Sequence, residues 1–340
     1  MSSRVMNLLT TFTPEIEVYS IDEAFLKFKG FELFDLEEYG IKMQRTVTKG
    51  TGIPVSIGFA PTKALAKVAN KIAKKFPERT QSVYVIDSEE KRIKALKWTK
   101  IADVWGIGRR YAKRLESLHI KTAYAFTQLS DDWVRKEMSV VGLRLKRELE
   151  GKPTLDLEEA SNKKAIATTR SFEKTYSTWD QVSERVATFT AHCAEKIRKQ
   201  QSQCNLVMVF VKTNGFSPNA PQYSRSIVIK TDYPTDSTID LNRYAQIGLK
   251  AIFKEGYQYK KAGVICMGLT PNATVQLSLF TTANPKHQPL MRVVDRLNHS
   301  IGKTVVRFAT QSIGRQWKMK QEKLSQRYTT NIKEVVEIEL

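Results

Sequence analysis

Cysteine and histidine are scarce in this chain of 340 residues. Its three cysteines, Cys193, Cys204 and Cys266, are scattered and odd in number, which fits neither a disulfide framework nor a zinc site. His119, His192, His287 and His299 show no metal-ligand spacing. No apolar run approaches the roughly 20 residues of a helical membrane span. The opening stretch, Met1 to Leu9, lacks the long apolar core and small-residue cleavage site of a signal peptide. A reducing cytoplasm is the expected setting. Acidic residues are also in deficit, 35 against 55 Lys and Arg, leaving a net charge of +20. That excess points to a polyanion, with nucleic acid the default. A membrane surface would call for a basic amphipathic anchor or a lipidation signal, and neither is visible. What is plentiful is apolar sequence: 41% hydrophobic residues suffice for the cores of two or three domains.

One stretch organises the rest: Tyr19-Ser20-Ile21-Asp22-Glu23-Ala24-Phe25. It reads as a strand or strand–turn in which two adjacent carboxylates interrupt apolar residues Val18, Ile21 and Phe25. Burying such a pair is costly unless a cation or donors satisfy it. Mg²⁺ is such a cation, taking one or two carboxylates together with substrate phosphates. The structural alternative is a hairpin corner whose Asp22 and Glu23 sit in water.

Around it the pattern predicts a helix over residues 2–11, a strand from about Glu17 to Phe28 and a helix from Leu33 to Gly50. A strand at 53–60, a helix from Lys63 to Phe76 and a strand at 82–86 complete an α/β layer. On the helix from Lys63, Leu65, Val68, Ile72 and Phe76 form the core stripe. Lys63, Lys67, Lys71 and Lys74 or Lys75 form a second stripe, readable as a solvated face or as a rail for phosphates.

Residues 88–155 are helical and basic. Val104-Trp105-Gly106-Ile107-Gly108-Arg109, followed by a helix and then Ile120-Lys121-Thr122, resembles a helix-hairpin-helix. Its glycines let the backbone approach a phosphate, and the free N–H groups of the next helix start face the anion. Residues 156–164 read as a polar linker. From 165 to 270 the order β-α-β-β-α-β predicts a four-stranded antiparallel sheet with both helices on one face. Arg170, Lys174, Lys212, Arg225 and Lys230 lie on or beside its strands, suited to a nucleic-acid backbone. Gln276-Leu277-Ser278-Leu279-Phe280 then forms an extended apolar peptide, a candidate for a partner pocket. The last segment, 285–340, is basic; Leu290, Val294 and Leu297 mark a helix, and Thr304 to Phe308 a short strand.

Together these residues resemble the Y-family translesion DNA polymerases, of the UmuC type. The carriers are the 19–25 motif, the block Gly52-Ile53-Pro54-Val55-Ser56-Ile57-Gly58 with the Pro61–Lys74 helix, the helix-hairpin-helix and the 276–280 peptide. The resemblance implies an α+β multidomain fold: a partial ferredoxin-like palm (1–87), a helix-hairpin-helix thumb (88–155) and a β-α-β-β-α-β little finger (165–270). A clamp-binding peptide (271–284) and a UmuC-type tail (285–340) would follow. It implies template-directed nucleotidyl transfer past damaged bases in SOS-type repair, at a two-Mg²⁺ site that is incomplete in this chain, Asp22 and Glu23 supplying two of its three carboxylates. Lys74 would contact the triphosphate. Gly106, Ile107, Gly108, Arg109, Arg170, Lys212 and Arg225 would contact primer–template DNA, and Gln276 to Phe280 the sliding clamp. A UmuD′-type accessory dimer and the recombinase filament are further implied partners, and no membrane is.

The resemblance also carries departures. In the family a first palm strand, bearing another metal-binding Asp and an aromatic steric gate, precedes the segment that Met1-Ser2-Ser3-Arg4-Val5 matches. Several dozen N-terminal residues are therefore expected to be absent, with Met1 an internal start. The alternative expectation is a catalytically impaired chain that only binds DNA and the clamp. Lys27 stands where many relatives carry Asp.

Overall fold

The computed structural model describes residues 1–159, 161–273, 283–301, 305–311, 323–328 and 330–336. They form two compact units, Met1–Ser161 and Asn162–Leu340. The break falls inside the predicted 156–164 linker.

The first unit opens with α1 (Ser2–Leu9), followed by an antiparallel hairpin, β1 (Ile16–Val18) and β2 (Ala24–Leu26). The single strand expected from Glu17 to Phe28 is thus two strands and a turn. Thr13 helps close its base, the hydroxyl donating to Lys27 O at 2.8 Å. Next come α2 (Leu36–Thr51), β3 (Ile57–Phe59), α3 (Lys63–Lys75), the four-residue α4 (Pro77–Thr80) and β4 (Val83–Val85). Asp35 caps α2 through its carboxylate, and Gly52 ends it at a positive φ of 71°. Thr62 caps α3. β3 and β4 pair in parallel as a second two-stranded sheet. α3 crosses close over β3 at Gly58, where a Cβ would sit 2.1 Å from Asn70 N; only glycine allows that approach. Phe12, Met43, Phe59, Val83 and Val85 make one core. α3 turns Leu65, Val68 and Ile72 into a second core, shared with the helices that follow.

Those helices are α5 (Glu89–Trp98), α6 (Arg109–Ser117), α7 (Ala123–Thr127) and α8 (Asp131–Leu149), the last kinked at Ser139. Near the C-terminal end of α8, Glu148 is fully buried, yet its carboxylate accepts N–H groups from Ala64 (3.3 Å), Thr154 (2.6 Å) and Leu155 (3.0 Å). One carboxylate thereby complements the N-terminus of α3 and fixes the chain as it leaves α8. The start of the expected linker is tied down as well, because Glu158 N–H donates to Glu17 at 2.8 Å.

The second unit contains β5 (Ala165–Tyr176), α9 (Trp179–Lys199), β6 (Ser202–Thr213), β7 (Ser224–Thr235), α10 (Thr238–Ile252) and β8 (Tyr259–Met267). The sheet order is β5-β8-β6-β7, all antiparallel, with a short β9 (Thr270–Pro271) added to β6. α9 and α10 pack on one face over Val207, Val209, Val211, Val264 and Cys266. This is the predicted split βαβ arrangement. α11 (His287–Ser300) docks on the same unit through buried Met291 and an Arg198–Asp295 pair at 2.6 Å. Residues 305–308 form no strand, in contrast to the expectation for Thr304–Phe308. Among the described residues no helix is long and apolar enough to cross a membrane.

Candidate functional site

The β1–β2 turn carries the two carboxylates. Tyr19 and Ser20 N–H both donate to Glu23 O at 3.0 Å, so the backbone closes tightly and throws Asp22 and Glu23 to the tip. Asp22 is exposed, and its Oδ1 takes a hydrogen bond from Ser20 Oγ at 2.5 Å. The hairpin-corner geometry therefore holds, but Glu23 does not sit free in water: Lys67 Nζ lies 2.7 Å from its Oε1.

α3 grips the hairpin twice. Lys63 pairs with buried Glu17 on β1, one turn before Lys67 meets Glu23. Both ammonium groups also lie near the aromatic rings of the motif. Lys63 Nζ is 5.1 Å from the centroid of Phe25, and Lys67 Nζ is 5.1 Å from Tyr19 and 5.8 Å from Phe25. Lys71 continues the row, bonded to Asp103 at 2.7 Å. The lysine stripe is thus neither a solvated face nor a bare phosphate rail. Each of its first three members answers a carboxylate from another element, which offsets their mutual repulsion. Lys74 is exposed in the last turn of α3 and lies outside the cavity beneath the hairpin.

That cavity has a volume of about 640 Å³ and is lined by Asp22, Glu23, Phe25, Lys63, Lys67 and Asn70, among others. Residues of β2 and of β3, one strand from each small sheet, both border it. Among the described residues no three His, Cys, Asp or Glu side chains are placed to hold a metal ion. Asp22 and Glu23 are consequently a two-carboxylate set. Two sequence-adjacent carboxylates, one exposed and one half-buried, beside open volume are of the chemical type a hard divalent cation takes together with water or phosphate.

Trp105, unremarked in the sequence beyond its place in the motif, links the hairpin to the predicted helix-hairpin-helix. Its Nε1 donates to Tyr19 Oη at 3.0 Å, and its ring packs against Tyr19 and Phe25 at 5.8 and 5.6 Å. The next residue, Gly106, has φ of 90°, a conformation that favours glycine. Ile107 is buried and anchors the turn, while Gly108 starts α6 without any side-chain cap. The first N–H groups of α6 are thereby left without a capping side chain, with exposed Arg109, Arg110 and Lys113 alongside. Arg114, further along, is paired with Glu137.

In the second unit the register separates the basic residues. Lys212 lies directly opposite Lys261 and Ser224, and Lys230 opposite Leu206, in the register of the helix-free face. Arg170 is opposite Ala262 and Arg225 opposite Val211, which belong to the helix-covered face. Both are exposed because they occupy the outer strands, β5 and β7. The open face thus bears Lys212, Lys230 and Lys261, with Arg170 and Arg225 on the outer strands at opposite edges. The peptide Gln276, Leu277, Ser278, Leu279, Phe280 lies outside the described residues.

Comparison with known proteins shows what carries this arrangement. The fold is similar to a solved Y-family DNA polymerase chimera built from Dbh and Dpo4, with TM-score 0.60 and 20% identity over 80% of this chain and 76% of the other. Residues 1–71 match the impB/mucB/samB family, residues 163–279 the impB/mucB/samB family C-terminal domain, and residues 288–338 a domain of unknown function, DUF4113. Protein UmuC of Salmonella typhimurium strain LT2 is 38% identical over 342 residues, covering 99% of this chain and 81% of that protein. Protein ImpB of Salmonella typhimurium is 36% identical, over 98% and 80%. DNA polymerase IV of Clostridium acetobutylicum is 23% identical, over 90% and 74%. The chain belongs to the impB/mucB/samB family, as a UmuC-type member of the Y-family DNA polymerases.

Proposed function

We propose that the β1–β2 turn is the metal-binding centre of template-directed nucleotidyl transfer. Membership of the UmuC-type Y family makes the chain an error-prone translesion DNA polymerase by descent. The observation that carries the site assignment is the pairing of Asp22 and Glu23 at one hairpin tip over a 640 Å³ cavity, with α3 clamping the hairpin from below. Bound there, Mg²⁺ supplies charge neutralisation at the triphosphate and a more acidic primer 3′-hydroxyl.

The chain's own residues provide the rest. Asp22, exposed and hydrogen-bonded by Ser20, would supply a carboxylate oxygen to the metal. Glu23 offers a second oxygen on the cavity side. Lys74, exposed on the same α3 face as Lys63 and Lys67, serves as a point charge for the triphosphate. The open N-terminus of α6 with Gly106, Ile107, Gly108 and Arg109 takes a DNA phosphate, positioning the duplex without reading its sequence. Lys212 on the open sheet face and Arg170 and Arg225 at its edges add backbone contacts. Gln276 to Phe280 is the proposed clamp peptide. A UmuD′-type dimer and a recombinase filament are the proposed accessory partners, both from the family resemblance.

Primer extension on a lesion-bearing template with Mg²⁺ tests this reading. Extension is expected, and Asp22→Ala or Glu23→Ala should abolish it. Extension that survives both substitutions would refute the site.

A further inference from the structure

The two ion pairs that α3 makes with the hairpin are chemically alike but differently built. Glu17 is 8% exposed, and the same oxygen that meets Lys63 also accepts the Glu158 N–H at 2.8 Å. The Lys63 and Glu17 side chains are each only 10% exposed, and Glu17 itself does not line the cavity. Glu23 is different. Its side chain is 43% exposed and lines the cavity beside Asp22. Lys67, only 18% exposed, bonds one of its oxygens. The Lys67 ammonium also lies over the rings of Tyr19 and Phe25, a second attraction near the turn that does not depend on the Glu23 bond.

We propose that Lys67 is an exchangeable counter-ion for Glu23: it orients the carboxylate while no divalent cation is bound and is displaced when one arrives. This rests on the assignment of Asp22 and Glu23 as metal ligands. Lys63 and Lys67 thereby divide the work, one holding the hairpin on α3 and the other acting as a positioning residue for the metal-binding oxygen. The physical basis is competition. An ammonium 2.7 Å from a ligand oxygen occupies the position of a cation and repels a second positive charge placed beside it. Removing the amine charge should therefore tighten metal binding at Glu23, whereas a lysine that merely braced the turn would weaken it when removed.

The test is an electron paramagnetic resonance titration of the full chain with Mn²⁺. Lys67→Met keeps an apolar stem over the two rings and removes the charge; Lys67→Arg keeps the charge. The expected result is that Lys67→Met lowers the Mn²⁺ Kd about fivefold, an effect of the size expected for one partly screened charge near the ion. Lys67→Arg should bind like the unsubstituted chain. In chains that already carry Glu23→Gln, which lack the oxygen Lys67 competes for, the gain from Lys67→Met should be smaller. If Glu23→Gln binds Mn²⁺ as well as the unsubstituted chain, the metal assignment itself fails, and the proposal with it. If Glu23→Gln weakens binding while Lys67→Met leaves it unchanged or weaker, the metal assignment stands and the counter-ion proposal is overturned. Far-UV circular dichroism on each variant establishes that the comparison is between folded chains.

Discussion

Glu17→Leu removes one partner of the pair that fastens the hairpin to α3. The Lys63 ammonium, in a side chain only 10% exposed, is then left without its carboxylate, and the Glu158 N–H loses its acceptor. Stranding one member of a buried pair costs about 3–5 kcal/mol, against about 0–1 kcal/mol for an exposed pair. The lost backbone acceptor adds about 1 kcal/mol to the unfavourable side. Replacing both partners by apolar residues, Glu17→Leu with Lys63→Met, removes the stranded charge and should recover most of the loss. Urea unfolding of the four chains of this double-mutant cycle, followed by tryptophan fluorescence, gives the coupling energy; we expect about 2–3 kcal/mol. The same loss should loosen the turn that carries Asp22 and Glu23. A single-variant cost below about 1 kcal/mol would place the pair among surface salt bridges and refute the clamp. A double variant as unstable as the sum of the singles would refute it equally.

Other expectations concern the rest of the fold. Glu148→Ala strands the N–H groups of Ala64, Thr154 and Leu155 and should cost about 3 kcal/mol in thermal or urea unfolding of the first unit. At the end of α8, burial pushes the Glu150 carboxyl up, but hydrogen bonds from Lys146 and Lys152 outweigh it and hold it below its ordinary value. A lowered folded value stabilises above the unfolded pKa of about 4.3 and is lost as pH falls through the folded one. The urea midpoint should therefore drop more steeply below about pH 4.3 in the unsubstituted chain than in Lys146→Met, and parallel profiles would count against that contribution. On the second unit, Lys212→Ala should weaken DNA binding uniformly across sequences and reduce the salt slope by about 1; an unchanged slope would remove Lys212 from the interface.

Much of this architecture could be read from residue order, and the places where reading failed have identifiable causes. The split βαβ unit announced itself because its strands alternate and its helices keep a 3.6-residue apolar period. The 19–25 stretch is ambiguous by pattern: Val18, Ile21 and Phe25 suit a strand or a strand–turn, and the hydrogen bonds from Tyr19 and Ser20 to Glu23 O decide for the turn. The ion pairs that α3 makes with the hairpin join residues 44 and 46 positions apart, so the lysine stripe is visible in the sequence while its carboxylate partners are not. Trp105 and Glu148 were hidden for the same reason, since both act on residues far along the chain. The split of the basic residues was legible in principle. Arg170 keeps step with Ile166 and Phe172, and Arg225 with Ile227 and Ile229, so strand parity alone assigns them to the helix-covered register. The carboxylate pair shows the limit from the other side. Asp22 and Glu23 suit both a cation site and a solvated corner by residue type alone, and the neighbouring cation, Lys67, belongs to the folded structure.

The central claim is that a divalent cation binds at this turn, and paramagnetic mapping addresses it directly. Substoichiometric Mn²⁺ added to the isotope-labelled chain should broaden the amide resonances of residues 20 to 25 first and most strongly. The broadening should be absent in Asp22→Asn with Glu23→Gln. Broadening centred elsewhere, or unaffected by removal of both carboxylates, would contradict the account.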